Sequence, residues 1–240
     1  MISRARLRTI PGLVPLVRLV RLLNSPVLRG AWWLKQRRTP LFLQPSNFTH
    51  SDRWPVFFRF MTEHLAALKA PRILSFGCST GEEVFSLRNY LPNAELIGID
   101  INPANIAKAQ SKLAATTDLR IKFMQGNAPD AMALGEFDAI FCMAVLRHGG
   151  LAIDRPARCD HLIKFADVEC VLVHLAACLK PGGYLAVWSS HFRFADTVLA
   201  TEFDTVLSLA HGRQFHSPLY GPDNVRLPDD GYCEAIFRKR

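Results

Sequence analysis

The strongest constraint on the fold of this chain is a short glycine turn between a strand-like run and a helical run. The apolar run Ile73–Phe76 leads into the turn Gly77–Gly81, and an amphipathic segment then opens on Glu82. A second strand-like run ends on an acid, Asp100. This order is typical of an α/β nucleotide-binding unit, in which backbone N–H groups at a helix start meet the ligand and the acid binds a ribose diol.

Strand-like and helical segments alternate regularly from about residue 57 onward. The predicted strands are Ile73–Phe76, Glu95–Ile99, Ile121–Gln125, Phe137–Met143, Tyr184–Ser189 and, last, Tyr232–Arg238. The predicted helices are Phe57–Leu68, Glu82–Tyr90, Pro103–Ala115, Asp167–Leu179 and Ala195–Leu209. Such alternation predicts right-handed crossovers, hence an α/β, Rossmann-like, doubly wound and mostly parallel sheet with an antiparallel last strand.

Positive charge is concentrated at the N-terminus. The first 51 residues hold nine Lys and Arg and no Asp or Glu, whereas the rest of the chain is nearly neutral. We therefore divide the chain into a basic N-terminal arm, residues 1–45, and a domain, residues 46–240. Within the arm, Leu13–Leu28 predicts one or two cationic amphipathic helices, which would either contact an anionic membrane or protein partner or pack on the domain. An Arg-rich, acid-poor transit peptide is a third interpretation, although the arm is not rich in Ser.

Cysteine usage and hydropathy favour the cytoplasm. The six cysteines include no CxxC pair, and Arg18 and Arg21 interrupt the apolar run that a secretory signal would need. No uncharged apolar run approaches the length of about 18 residues that suggests a membrane span. We expect a cytoplasmic protein without a nucleic-acid partner, with peripheral membrane contact through residues 1–45 as an open alternative.

The composition of the turn narrows the ligand class. Gly77–Gly81 has the form GxxxG rather than GxGxxG, so the third glycine of a dinucleotide-binding fold is missing. Glu82 and Glu83 suit the positive end of a helix dipole but would repel a pyrophosphate. A ligand that carries an amine and a sulfonium suits them better. The pattern therefore favours S-adenosylmethionine, and it disfavours an NAD-dependent oxidoreductase.

Several segments of the chain resemble one enzyme family. CSTGEE, from Cys78 to Glu83, resembles the STGEE signature of the CheR-type chemotaxis methyltransferases, a group within the class I S-adenosylmethionine-dependent methyltransferases. The spacing of Asn47, Thr49 and Arg53 is similar to the N-x-T-x-x-x-R pattern of that family. FDAIFCMAVL and LAACLKPGGYLAV resemble its later segments, so the likeness covers about residues 46–188.

The resemblance implies roles at matching positions. Asn47, Thr49 and Arg53 would line the cofactor pocket and the methyl-transfer mouth. Thr80 and Glu82 would contact the methionine end, with Glu82 nearest the ammonium; Asp100 would bind the ribose hydroxyls, and Asn127 and Ala128 would lie by the adenine. The candidate cofactor-binding residues are Asn47, Thr49, Arg53, Gly77, Cys78, Ser79, Thr80, Gly81, Glu82, Asp100, Ile101, Asn127, Ala128, Cys142 and Met143.

The sequence also departs from the family. Met143 and Ala144 occupy the positions of the family's Arg-Asn pair, and no small β-subdomain for docking a receptor tail is evident. The acceptor is therefore open: a protein carboxylate or a small molecule. A degenerate fold that acts only as a binding module through its basic arm is the alternative function.

The expected reaction is an SN2 methyl transfer, which depends mostly on alignment of the reacting groups. Arg53 and His148 are the candidate catalytic residues: Arg53 would hold an acceptor carboxylate, and His148 would serve as a base for a hydroxyl or amine acceptor. Cys78 and Cys142 are expected to be small residues at the edge of the core rather than nucleophiles. Cys170 and His174 lie at helical spacing, but the pattern around them is too loose for a metal site, and no metal is expected.

Overall fold

The computed structural model describes residues 13–209, 217–228 and 231–240. The strands in these ranges are β1 Arg72–Phe76, β2 Glu95–Asp100, β3 Ile121–Gln125, β4 Phe137–Met143, β5 Leu179–Trp188, β6 Phe203–Ser208 and β7 Glu234–Lys239. They form one sheet in the order β3-β2-β1-β4-β5-β7-β6. Strand β7 runs antiparallel to both of its neighbours, and the other pairs are parallel. The predicted fold, a mostly parallel Rossmann-like sheet with an antiparallel last strand, is confirmed.

The helices that the structure describes follow local sequence rules. They are α1 Leu13–Asn24, α2 Pro26–Gln36, α3 Pro55–His64, α4 Glu82–Tyr90, α5 Pro103–Leu113, α6 Ala128–Met132, α7 Gly149–Asp154 and α8 Phe165–Ala177. Ser25 caps α2 by accepting from the Leu28 N–H at 3.3 Å, and Asn102 caps α5 by accepting from the Ala104 N–H at 3.1 Å. Both helices begin with a proline. The first N–H groups of a helix have no partner within it, so the missing N–H of proline costs nothing there.

The predicted helix over Ala195–Leu209 is wrong. Two short 3-10 turns, Phe194–Asp196 and Val198–Thr201, lead instead into strand β6. Strand β6 pairs along its length with β7, whose central residues are buried. Pairing with a distant strand thus overrides the local helical pattern, which is the usual way a sequence-based assignment fails.

Smaller differences concern element ends. Strand β5 begins at Leu179 rather than Tyr184. Leu179 already pairs with β4, and the predicted turn Lys180–Gly183 forms an irregularity within the strand, where the register of this pairing shifts. The short helices α6 and α7 lie in segments for which no element was predicted. Of the predicted arm, residues 1–12 lie outside the described residues.

The core lies on both faces of the sheet. Every residue of β4 is buried, and its side chains alternate between two apolar clusters. Ile140 and Cys142 belong to one cluster, and Ala139, Phe141 and Met143 belong to the other. A parallel sheet covered on both faces is the arrangement that βαβ crossovers produce.

Helix α2 of the arm packs against the start of α5. The Asn102 side chain donates from Nδ2 to the Val27 carbonyl at 3.0 Å. The backbone of Gly30 lies so close that a Cβ there would stand 2.2 Å from Asn102 Oδ1. Among the described helices, none combines the length and apolarity that a membrane crossing requires.

Candidate functional site

A cleft lies at the carboxyl ends of β1, β2 and β4. The strand order reverses there, because β2 and β3 extend the sheet on one side of β1, whereas β4 and β5 extend it on the other. Its empty volume is about 890 Å³, including space open to solvent. Ten predicted residues line it: Asn47, Thr49, Arg53, Gly77, Cys78, Ser79, Asp100, Ile101, Asn127 and Met143. The structure therefore brings together residues from five separate segments of the chain, four of which lie at the ends of strands as the predicted topology requires.

Six predicted residues lie outside the wall of the cleft: Thr80, Gly81, Glu82, Ala128, Cys142 and His148. Glu82 is the most consequential of them. Its carboxylate pairs with the Lys112 ammonium, and Thr80 Oγ1 donates to it at 2.6 Å. Burial alone would raise the pKa of Glu82, but these hydrogen bonds outweigh it and hold the pKa below its ordinary value. Glu82 is thus engaged within the protein, and its expected place nearest the cofactor's ammonium stays a prediction.

Glu83 is the acid at the start of α4 that lines the cleft. Ser75 Oγ donates to Glu83 Oε1 at 2.7 Å. Burial raises the pKa of Glu83 to about 7, with the Ser75 hydrogen bond and the charge of Arg53 acting in the opposite direction. Consecutive helical residues point about 100° apart, so only the packing of α4 decides which acid faces the cleft.

The glycine turn holds the backbone in conformations that few side chains allow. Gly77 has φ +70°, and a Cβ there would stand 2.5 Å from Val145 Cγ2. Two residues that do carry a Cβ, Ser79 and Ala144, also have positive φ, of 52° and 60°. Both line the cleft, and strained backbone of this kind is concentrated at functional sites.

Asp100 is fixed by three hydrogen bonds to its carboxylate. The Ser79 N–H donates to Oδ2 at 2.9 Å, and the Asn102 N–H donates to Oδ1 at 2.8 Å. Asn105 Nδ2 donates to the same Oδ1 at 3.1 Å. Burial raises the pKa of Asp100, while these donors act in the opposite direction. An ionised carboxylate has about four acceptor positions, so one remains for a hydroxyl of a bound ligand.

Asn105 carries an unsatisfied acceptor in the same corner of the cleft. Its side chain is buried, and in the described part of the chain its Oδ1 has no hydrogen-bond partner. Turning the amide over would set an oxygen against the Asp100 carboxylate, so the orientation is determined by that neighbour. A buried acceptor beside a carboxylate fits two donor hydroxyls, which is the chemistry of a ribose diol.

Arg53 lies in the cleft between two aromatic rings. Its guanidinium stands 4.6 Å from the centre of the Trp54 ring and 5.3 Å from that of Phe48, and its Nη1 donates to the Phe48 carbonyl at 3.0 Å. Burial and the nearby charge of Arg147 lower the pKa of Arg53. Two guanidinium groups in one neighbourhood favour an anionic ligand such as a carboxylate.

The surroundings of Cys78, Cys142 and His148 indicate structural roles. Cys78 and Cys142 are buried, and burial raises the pKa of both thiols, which keeps them protonated. His148 caps α7 by accepting from the Gly150 N–H at 3.2 Å, and burial lowers its pKa. Within the described ranges, no group of three or more His, Cys, Asp and Glu side chains is placed to hold a metal ion.

Glu83, Asn102 and Asn105 line the cleft but were not among the predicted site residues. The two asparagines follow Asp100 at spacings of two and five residues, in the turn and first turn of α5. That spacing alone is a weak signal, because asparagine is common at helix starts for reasons of capping.

Residues 74–185 match the family model described as "Methyltransferase domain". An uncharacterised protein of Synechococcus sp. is 33% identical over 147 residues, which are 60% of this chain and 31% of that protein. Demethylmenaquinone methyltransferase of Thermus thermophilus is 34% identical over 128 residues, 51% of this chain and 49% of the relative. Ubiquinone biosynthesis O-methyltransferase of Azorhizobium caulinodans is 35% identical over 124 residues, 51% of this chain and 42% of the relative.

The chain thus spans half or less of the length of these relatives. The closer resemblance to CheR-type enzymes stays a prediction, and the binding-module alternative finds no support in the comparisons. The family match, the sheet topology and the cleft at the carboxyl ends of the strands agree with one another. Residues 74–185 therefore form a methyltransferase domain, and its fold is similar to that of the class I S-adenosylmethionine-dependent enzymes.

Proposed function

We propose that this protein transfers a methyl group from S-adenosylmethionine to an oxygen of an acceptor, either a carboxylate or a hydroxyl. The observation that carries the proposal is the chemistry of the cleft wall, which combines two acids, Asp100 and Glu83, with the guanidinium of Arg53. The acids suit the hydroxyls and the ammonium of the cofactor, and the guanidinium suits an anionic acceptor.

The wall residues fit the parts of the cofactor. Asp100 and Asn105 would accept hydrogen bonds from the ribose hydroxyls, and Glu83 would pair with the ammonium. Ile101 and Asn127 would border the adenine, as the residues after the second and third strands are expected to do. The cofactor supplies a methyl group activated by its cationic sulfur.

An oxygen acceptor is supported by two independent points. Arg53 would orient a carboxylate without any proton transfer, so alignment by the cleft would suffice. One of the relatives is named as an O-methyltransferase of ubiquinone biosynthesis. The resemblance to CheR-type enzymes favours a carboxylate over a hydroxyl, in a protein or in a small molecule.

The location and partners of the protein belong to the same proposal. We place it in the cytoplasm, with no nucleic-acid partner, and with peripheral membrane contact through residues 1–45. The charge of this arm supports the contact, since the first acid of the chain is Asp52.

Binding of S-adenosylhomocysteine to the full chain, measured by isothermal titration, tests the cofactor part. The acceptor part is tested with a labelled methyl donor and fractionated extract, since a carboxylate product is base-labile and a hydroxyl product is base-stable. Absence of S-adenosylhomocysteine binding would overturn the proposal.

Arg53→Ala tests the acceptor site, with Arg59→Ala as the matched control, because Arg59 is exposed on α3. We expect Arg53→Ala to raise KM for the acceptor about tenfold or more, since hydrogen bonds to charged groups contribute about 1.5–3 kcal/mol. Equal KM values for the two variants would contradict the role of Arg53.

A further inference from the structure

Helices α1 and α2 expose a set of large apolar side chains. Leu23 is 60% exposed and Trp33 is 53% exposed, values that are high for apolar residues of their size. The residues of this surface, called here the arm face, are Leu19, Val20, Leu23, Leu28, Trp32 and Trp33. A cluster of this kind on neighbouring helices marks an interaction site more often than single exposed residues do.

The charge around the arm face has one sign. Exposed basic side chains accompany it at Arg21, Arg29, Lys35, Arg37 and Arg38. No acid occurs in the sequence before Asp52, so none of these charges is paired with an acid of the arm itself. The Arg37 guanidinium stands 5.7 Å from the centre of the Trp33 ring, so the apolar and cationic groups are interleaved. An occupant of this surface must be both apolar and anionic.

The opposite side of α2 is fastened to the methyltransferase fold. Val27 accepts a hydrogen bond from the Asn102 side chain, and Gly30 lies against the same residue. Ala31, the residue before the tryptophan pair, lines the cleft. Helix α2 therefore presents its outer side from a fixed position beside the candidate active site.

We propose that the arm face docks on an anionic lipid bilayer. The tryptophans and leucines enter the boundary between headgroups and acyl chains, and the Arg and Lys side chains contact lipid phosphates. The proposal specifies the membrane contact included in the proposed function, and it rests on that part only and not on methyl transfer. With 12 and 11 residues, α1 and α2 are too short to span a bilayer and suited to lie in its surface.

A lipid surface fits better than a second copy of the chain. Two arm faces in contact would bring two positively charged surfaces together without an opposing charge, which is unfavourable. Tryptophan is enriched at the level of lipid headgroups, because its ring is amphipathic. Each Lys or Arg near an anionic membrane contributes about 1 kcal/mol.

The test is co-sedimentation of the full chain with two kinds of vesicle: pure phosphatidylcholine, and phosphatidylcholine in which phosphatidylglycerol replaces a third of the lipid. We expect binding to the anionic vesicles only, and loss of that binding at high salt. Binding to neither kind of vesicle would overturn the proposal, as would equal binding to both.

Two variants locate the surface. Trp32→Ala with Trp33→Ala should weaken vesicle binding about tenfold or more. Leu119→Ala, which changes an exposed leucine outside the arm, is its control.

Lys35→Glu with Arg38→Glu should weaken vesicle binding at least about 25-fold, since each charge contributes about fivefold. Lys122→Glu, on the edge strand β3, is its control. Effects of equal size in the control variants would contradict the assignment of the surface.

Titration of S-adenosylhomocysteine on the same proteins separates the two proposals. Vesicle binding without cofactor binding would leave docking intact and overturn the methyltransferase function, and the reverse result would overturn docking alone. A wild-type dimer that the tryptophan variant converts to a monomer, without vesicle binding, would assign the arm face to a subunit interface instead.

Discussion

Asn102 hydrogen-bonds to two parts of the protein that are distant in sequence. Its side chain donates to the Val27 carbonyl at 3.0 Å, and its backbone N–H donates to Asp100 Oδ1 at 2.8 Å. Helix α2 is therefore tied through one residue to the acid expected to bind the ribose. A change in the packing of α2 should therefore alter ligand binding at the candidate cofactor site.

Gly30→Ala is the direct test of this connection. The new Cβ would stand 2.2 Å from Asn102 Oδ1, so α2 or Asn102 must move. Overpacking costs about 1–3 kcal/mol, which exceeds the gain of about 1 kcal/mol in helix propensity. We expect a lower melting temperature and weaker S-adenosylhomocysteine binding. Gly149→Ala is the control, because a Cβ at Gly149 would meet nothing within 4 Å; the same loss in both variants would contradict the connection.

Glu83→Gln should change the pH dependence of stability. The pKa of Glu83 is about 7 in the folded protein against an ordinary value of 4.5. Between these values the unfolded chain has lost a proton that the folded protein keeps, so the free energy of unfolding falls as pH rises through that window. The variant removes this cost and should be more stable than the wild type at pH about 8, by about 1–2 kcal/mol after allowance for solvent in the cleft, with no gain at pH about 4.

Urea unfolding at the two pH values measures this difference. Glu202→Gln, a change at an exposed acid, serves as the control and should show no gain at either pH. A gain for Glu83→Gln that is equal at both pH values would show that the pKa of Glu83 is not raised.

Binding of a cationic ligand should release a proton from Glu83. An ammonium beside the carboxyl favours its charged form, so the pKa of Glu83 should fall when the cofactor binds. Isothermal titration of S-adenosylhomocysteine at pH about 6.5, in buffers of different ionisation enthalpy, counts the protons released. Release that persists in Glu83→Gln would assign the proton to another group.

Asp100→Asn should weaken cofactor binding strongly while the fold persists. The three groups around the carboxylate, in Ser79, Asn102 and Asn105, are all donors, so an amide would set a donor against at least one of them. We expect S-adenosylhomocysteine affinity to fall about tenfold to a hundredfold, because one hydrogen bond to a charged group contributes about 1.5–3 kcal/mol. Asp204→Asn, in an exposed pair with Arg240, is the control. Undiminished affinity in Asp100→Asn would remove Asp100 from the site.

Asn105→Ala should weaken cofactor binding about fivefold to tenfold, because a ribose hydroxyl would lose Oδ1, the acceptor that has no partner within the protein. The measurement is a cycle with S-adenosylhomocysteine and its 2′-deoxy and 3′-deoxy analogues. The effect of the substitution should vanish with the analogue that lacks the donating hydroxyl. An effect that is the same for all three ligands would indicate a structural role only.

Much of the fold follows from local patterns. The glycine turn, the strand-end acid at Asp100 and the alternation of apolar runs predicted the parallel sheet and its ligand edge, because each depends on residues close in sequence. The segment Ala195–Leu209 shows where a local pattern fails to predict the structure. Its pattern allowed a helix, and only the presence of β7 as a pairing partner makes Phe203–Ser208 a strand.

The glycine turn and its two acids in the sequence determined the class of ligand, since a phosphate-free, cationic cofactor suits them and a dinucleotide does not. Only the tertiary structure decided which of the two acids lines the cleft. Lys112, 30 residues further along the chain, pairs with Glu82, whereas Glu83 hydrogen-bonds to Ser75 in the cleft wall. Glu82 and Glu83 are adjacent in one helix, so the local sequence does not distinguish them. Only their contacts with other parts of the chain do.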